Sequence, residues 1–146
     1  MLKIGIINGP NLNYLGKRDK NVYGSLTLEE INQKIKNAAK KENMELLFIQ
    51  SNSEGEIIDS IQKLSSHADG IVINPGAYTH YSYAIADALR DCPLPIIEVH
   101  LSNIFSRDEF RQKSVTAPAC NGQIAGFGYH SYILALYGLK TMIEKE

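Results

Sequence analysis

The 146-residue sequence predicts a flavodoxin-like α/β fold, a doubly wound five-stranded parallel sheet with helices on both faces. Two observations lead there. Short Ile-rich apolar runs recur along the chain, as expected of strands buried on both faces, and segments with helical spacing separate them. Such alternation implies right-handed crossovers between parallel strands. No internal repeat, low-complexity segment or linker composition interrupts it, so residues 1–146 are expected to form a single domain.

The first run, Leu2 to Ile7, delivers the chain to one edge of the sheet, where it enters Asn8 to Gly24. Connections longer than about 12 residues in a compact domain are usually functional or disordered. This one carries Gly9, Pro10, Gly16 and Gly24 as turn residues together with Asn11, Arg18 and Tyr23, and residues 9–24 are expected to be an active-site lid. Thr27 and Glu30 then form a capping-box signal, and Leu28, Ile31, Ile35 and Ala38 share one face of a helix running to about Asn43. Leu46 to Ile49 is the second strand, and Ser53 with Glu56 reads as another capping box before Ile57, Ile58, Ile61 and Leu64. Ile71 to Ile73 is the third strand, followed by a helix over Ser82 to Arg90 that Pro93 and Pro95 stop. Ile96 to Val99 is the fourth strand. Beyond it a loop reaches about Asn121 with a short helix near Asp108 to Lys113. Gly122 to Gly126 supplies the fifth strand, and a helix from about Ser131 carries Tyr132, Leu136, Leu139 and Ile143 on one stripe.

Composition narrows the partners. A net charge of −1 with interspersed acids and bases gives no basic stripe for nucleic acid and no patch for an anionic membrane. No apolar run approaches the roughly 18 residues of a membrane span, and no signal-peptide pattern precedes the first strand, so a cytoplasmic protein is expected. Cys92 and Cys120 lie far apart without metal-ligand spacing and are expected to be structural or incidental. No two histidines have close ligand spacing, so neither a metal nor another cofactor is expected.

Ligands of open parallel sheets bind beyond the carboxyl ends of the strands, and the unusual polar residues gather there. Strand one leads from Asn8 to Asn11, strand two ends at Ser51 and Asn52, strand three leads from Asn74 to His80, and strand four leads from His100 to Ser102 and Asn103. Glu98 lies within an otherwise apolar strand, where an unpaired carboxylate is costly. Residues two apart on a strand share a face, so Glu98 can orient His100 and favour its charged form, a good proton donor. A purely structural pair closing the sheet edge remains the plainer reading. Tyr23 is one of eight tyrosines and could simply pack the loop. A free tyrosine ionises near pH 10, but a cation stabilises its phenolate, and Arg18 lies on the same loop. Arg107 and Arg111 lie four apart, on one side of a possible helical turn, either as an exposed pair or as partners for an anionic or polyhydroxylated ligand. His67 and His130 have no comparable company and read as surface or packing residues.

Several longer motifs carry a resemblance. Asn8 to Gly16 reads Asn-Gly-Pro-Asn-Leu-Asn-Tyr-Leu-Gly, and Arg18 precedes Val22-Tyr23-Gly24. Gln50 to Gly55 reads Gln-Ser-Asn-Ser-Glu-Gly, Ile73 to His80 reads Ile-Asn-Pro-Gly-Ala-Tyr-Thr-His, and Ile97 to Ile104 reads Ile-Glu-Val-His-Leu-Ser-Asn-Ile. Together, in order and over nearly the whole chain, they resemble type II 3-dehydroquinate dehydratase. The resemblance implies anti elimination of water from 3-dehydroquinate to 3-dehydroshikimate through an enol or enolate, in the shikimate pathway, without metal or Schiff base. It implies Tyr23 as the base with Arg18 lowering its pKa, Asn11 stabilising the enolate through a held water, and His100, oriented by Glu98, as the general acid. It further implies that Asn74, Ser102 and the amides of Leu101 and Ser102 hold the substrate carboxylate, that His80 and Arg111 contact ring hydroxyls, and that Arg107 belongs to the lid network. Trimers packed into a dodecamer are implied too, with Asp87 reaching a neighbour's site. Lys20, Ser60 and Ala86 depart from the commonest family pattern without removing a catalytic group.

Rival readings are open to simple tests. A flavin- or phosphate-binding module would use the same sheet edge, but the first loop lacks a Ser/Thr/Gly-rich cradle. A Schiff-base dehydratase needs a lysine among the strand-end residues, and none stands there. A receiver-like signalling domain expects Asp where strand three ends in Asn74.

Overall fold

The computed structural model describes residues 1–145. Its five strands are β1 (Leu2–Asn8), β2 (Met44–Gln50), β3 (Gly70–Asn74), β4 (Ile96–His100) and β5 (Gly122–Ala125). They form one parallel sheet in the order β2-β1-β3-β4-β5. The helices are α1 (Lys20–Tyr23), α2 (Leu28–Lys41), α3 (Glu54–Leu64), α4 (Tyr83–Asp91), α5 (Glu109–Gln112) and α6 (His130–Ile143).

Strand alternation sorts the core into two layers. Ile4, Ile6, Val72, Ile97 and Val99 pack against Ile31 and Ile35 of α2 and Tyr132, Leu136 and Leu139 of α6. Ile7, Ile71, Ile73 and Ile96 face Ile57 and Ile61 of α3 and Ile85 and Leu89 of α4. The central strands are therefore apolar on both faces, which is why their sequence shows runs and no alternation. Glu98 and His100 lie on the α3 and α4 side, and both are buried.

The helix caps follow the sequence with one exception. Thr27 and Glu30 close a full capping box on α2. At α3, Ser53 accepts from the Glu56 amide, but the Glu56 carboxylate takes the Ser51 hydroxyl at 2.5 Å, so only half of the expected box forms. Helix α2 stops at Lys41, short of Asn43, which turns the chain with φ 57°. The stretch after β1 is less irregular than expected: it holds a 3-10 turn over Leu12–Tyr14 and the single-turn helix α1.

Register brings the strand ends level. Asn8 pairs with Gln50 on one side and Asn74 on the other, while Ile73 pairs with Glu98. Two glycines let the loops leaving β1 and β3 cross closely. A Cβ on Gly9 would lie 2.5 Å from the Pro75 carbonyl oxygen, and one on Gly76, at φ +60°, would lie 3.0 Å from the Pro10 carbonyl oxygen. Both obstacles are backbone atoms. Gly9→Ala is expected to cost about 1–3 kcal/mol through overpacking, read by urea denaturation; unchanged stability would contradict the close crossing.

Candidate active site

The strand ends open onto one cavity enclosing about 500 Å³ of space, part of it continuous with solvent. The loop after β1 contributes Asn11, Arg18 and Tyr23 to its wall; β3 and the following turn contribute Asn74 and His80; β4 and its continuation contribute His100, Leu101, Ser102, Arg107 and Arg111. Glu98 lies beneath the wall, bonded to His100. Asp87 sits apart on the outer surface of α4, where it is 3.6 Å from Arg90. Every candidate residue but Asp87 is thus in this cavity or directly behind it.

Asn11 occupies the left-handed region at φ 68°, tolerated by asparagine, and its amide donates to Asn52 Oδ1 at 3.1 Å. That bond joins the first loop to the end of β2. Tyr23 closes α1, and the Arg18 guanidinium lies over its ring at 3.9 Å from the centroid, with that of Arg107 at 5.3 Å. Arg18 thus meets Tyr23 as a stack on the ring face. Arg107 does not share a helical turn with Arg111. It has extended backbone before α5, while Arg111 lies within α5, and both nevertheless reach the cavity.

Glu98 is fully buried and accepts from several groups. His100 Nε2 lies 2.9 Å from Oε2, with Ser114 Oγ and Gln123 Nε2 also at 2.9 Å and Thr79 Oγ1 at 3.1 Å; Thr116 Oγ1 donates to Oε1. Burial pushes the carboxyl up, but the His100 hydrogen bond and charge, with the Thr116 and Ser114 hydroxyls, outweigh it and hold Glu98 below its ordinary 4.5. An ionised Glu98 is acceptor-only, so Nε2 of His100 carries the proton between them. The Nδ1 nitrogen is left for the cavity. His80 turns its Nδ1 to the Lys113 carbonyl at 2.7 Å, leaving Nε2 available. Burial first, and the charges of His100, Arg111 and Arg107 beyond it, lower His80 below 6.5 against the raising effect of that carbonyl. Its neutral form is favoured in the fold, and the stability this supplies is present above pH 6.5 and lost as pH falls through the lowered value.

Tyr132, on the apolar stripe of α6, is a core residue whose hydroxyl does more. Fully buried on α6, it donates to Asn8 Oδ1 and accepts from Asn74 Nδ2 at 3.0 Å, tying the ends of β1 and β3. Asn74 Oδ1 accepts from the Gly76 amide at 3.2 Å, so one Nδ2 proton remains for a ligand. Ser114, Thr116, Thr79 and Gln123 had no sequence signal beyond being polar. Three arginines and two histidines line the cavity, with no acidic side chain among its lining residues, a setting suited to an anion. Burial pushes the Cys92 and Cys120 thiols up, the latter also through the Glu98 charge, and both cysteines are free. No cluster of three or more metal-ligating side chains occurs, and no helix is long and apolar enough to cross a membrane, among the described residues.

Residues 2–140 match the family model described as dehydroquinase class II. The chain is 58% identical over 144 residues to the 3-dehydroquinate dehydratase of Caldicellulosiruptor saccharolyticus, covering 98% of this chain and 99% of that protein. The type II dehydroquinase crystal structure from Butyrivibrio crossotus superposes with a TM-score of 0.93 at 54% identity, covering 95% of this chain and 97% of the other. The one from Propionibacterium acnes gives 0.93 at 38% identity, with 97% of each chain covered.

Two measurements test this geometry. Because the Glu98 carboxyl is held low, its stabilisation is complete above pH 4.5 and lost as pH falls through its folded value. Urea titrations at about pH 6 and about pH 3.5 should therefore show a smaller acid-induced loss for Glu98→Gln than for wild type; equal losses would remove the ionised carboxylate. Tyr132→Phe leaves Asn8 and Asn74 each short of a buried partner and should cost about 1–3 kcal/mol, so an unchanged urea midpoint would contradict the tie.

Proposed function

The chain belongs to the class II dehydroquinase family, and from that premise we propose that this cavity dehydrates 3-dehydroquinate to 3-dehydroshikimate by an anti elimination through an enolate. The reaction is that of a shikimate-pathway hydro-lyase serving aromatic amino acid biosynthesis. The observation that carries the mechanism is the meeting, in one cationic cavity, of Tyr23 beneath two guanidiniums with the buried His100–Glu98 pair.

Tyr23 removes a proton from the carbon beside the ketone, and the electron pair moves onto the carbonyl oxygen. Arg18 and Arg107, close to the ring face, favour the negative charge that Tyr23 carries as base. Asn11 stabilises the enolate through a held water, the electrostatic contribution this step requires. Collapse of the enolate expels the hydroxyl, which takes its proton from His100 Nδ1, while Glu98 holds Nε2 and stabilises the imidazolium before transfer. Water leaves, Tyr23 gives up the proton it took from carbon, and His100 regains the one it donated, by exchange with solvent.

Binding follows the remaining groups. The free Nδ2 proton of Asn74, the Ser102 hydroxyl and the amides of Leu101 and Ser102 hold the substrate carboxylate. His80 Nε2 and Arg111 address ring hydroxyls, and Arg107 bridges this wall to the stretch over residues 9–24, the lid of a single catalytic domain. The assembly is a cytoplasmic dodecamer of trimers in which Asp87 reaches a neighbouring site. Its exposure on α4, with Tyr81 and Tyr83 also exposed nearby, supports that reading.

Dehydration creates a conjugated enone, so ultraviolet absorbance reports turnover directly. Tyr23→Phe and His100→Ala should each lower kcat by roughly 10²–10⁴-fold while circular dichroism stays unchanged. Wild-type rates in either variant would strip that residue of its role, and an inert wild type would overturn the reaction.

A further inference from the structure

Glu98 does its work through one oxygen. Oε2 faces His100 and also receives Gln123, with Thr79 and Ser114 in range, whereas Oε1 has a single donor among the described residues, Thr116. The three hydroxyls also touch one another. Thr79 lies 2.7 Å from Ser114 and 2.8 Å from Thr116, and Ser114 lies 3.2 Å from Thr116. Each hydroxyl has one proton to donate. Three protons thus serve more contacts than they can fill, and Thr79 and Ser114 can satisfy each other in more than one way. Oε1 has no such alternative, because among the described residues only the Thr116 proton reaches it.

The segment around Thr116 is also fixed by its own backbone amides. The Val115 amide donates to the Thr79 carbonyl at 2.7 Å, and the Ala117 amide donates to Ser114 Oγ at 2.9 Å. Thr116 itself is fully buried, as are Thr79 and Glu98. A rigid donor at Oε1 sets the rotation of the carboxylate, and that rotation decides whether Oε2 meets Nε2 of His100.

We propose that Thr116 is a positioning residue for the general acid, pinning Oε1 of Glu98 so that Oε2 stays on His100 and the imidazole keeps Nδ1 toward the cavity. The inference rests on the dehydratase reading, because the role is defined by proton delivery to the departing hydroxyl. Without Thr116, Oε1 is buried and unsatisfied, and the carboxylate turns toward the hydroxyls of Thr79 and Ser114. His100 then loses its fixed partner and its single tautomer.

The test is steady-state kinetics of Thr116→Val, which keeps the shape and removes the hydroxyl. Loss of one hydrogen bond to a charged group corresponds to a fall in kcat of about 10- to 100-fold, with KM held within about 2-fold because Thr116 does not line the cavity. Thr116→Ser restores the hydroxyl and should return kcat to near wild type. In a Glu98→Gln background, Thr116→Val should bring little further loss of kcat, since the residue acts through Glu98. If the valine variant does not fold, Thr116→Ala carries the same comparison. A wild-type kcat in a folded Thr116 variant, failure of serine to rescue, or full additivity with Glu98→Gln would overturn the inference while the dehydratase reading stands. A wild type inert toward 3-dehydroquinate overturns both.

Discussion

A carboxylate with no exposure to solvent is the costliest group in this fold, and its neighbourhood is built around it. Glu98 sits in β4, an interior strand whose one other buried polar residue is its partner His100, so the remaining donors must come from other segments. They come from the turn after β3, from β5 and from the segment leading into it, which converge on two oxygen atoms. Donors outweigh burial, the charge survives, and His100 is held in one orientation by its surviving partner. The same cluster that makes the buried charge tolerable also holds His100 at the cavity wall.

The level strand ends explain why one cavity gathers groups from so many elements. With Asn8 paired to both Gln50 and Asn74, each loop starts from a common plane, and Tyr132 fastens two of those starts from beneath. Gly9 and Gly76 then let two of the loops cross at backbone contact. The cationic lining follows from which side chains these loops carry, with the compensating Glu98 charge placed behind the wall.

Much of this was legible in the sequence because it rests on periodicity. Ile-rich runs separated by helical spacing gave the sheet, and the two-residue step from Glu98 to His100 gave their shared face. The long motifs pointed to the family and to the roles proposed for the site residues. What stayed hidden depends on distant partners or on competition. Thr79, Ser114, Thr116 and Gln123 meet Glu98 from 16 to 25 positions away, and hydroxyl and amide residues in loops carry no pattern that says where they will point. The partial cap at α3 arose because Ser51 competes for Glu56, a choice settled only once β2 ends beside the helix. Helix α1 is a single turn, too short for periodicity to register. Arg107 and Arg111 reach the same cavity although the helical turn expected to join them begins between them.

The two ends of the proposed proton chemistry stand on very different ground. His100 ends β4, which pairs with β3 on one side and β5 on the other, and its side chain is buried. Tyr23 ends a one-turn helix with no buried residue, held on its face by two arginine side chains. The proposed acid is therefore set into the sheet, and the proposed base is carried by a single helical turn. A compound that laid its own flat ring under the Arg18 and Arg107 guanidiniums in place of Tyr23 would displace the proposed base while leaving His100 untouched.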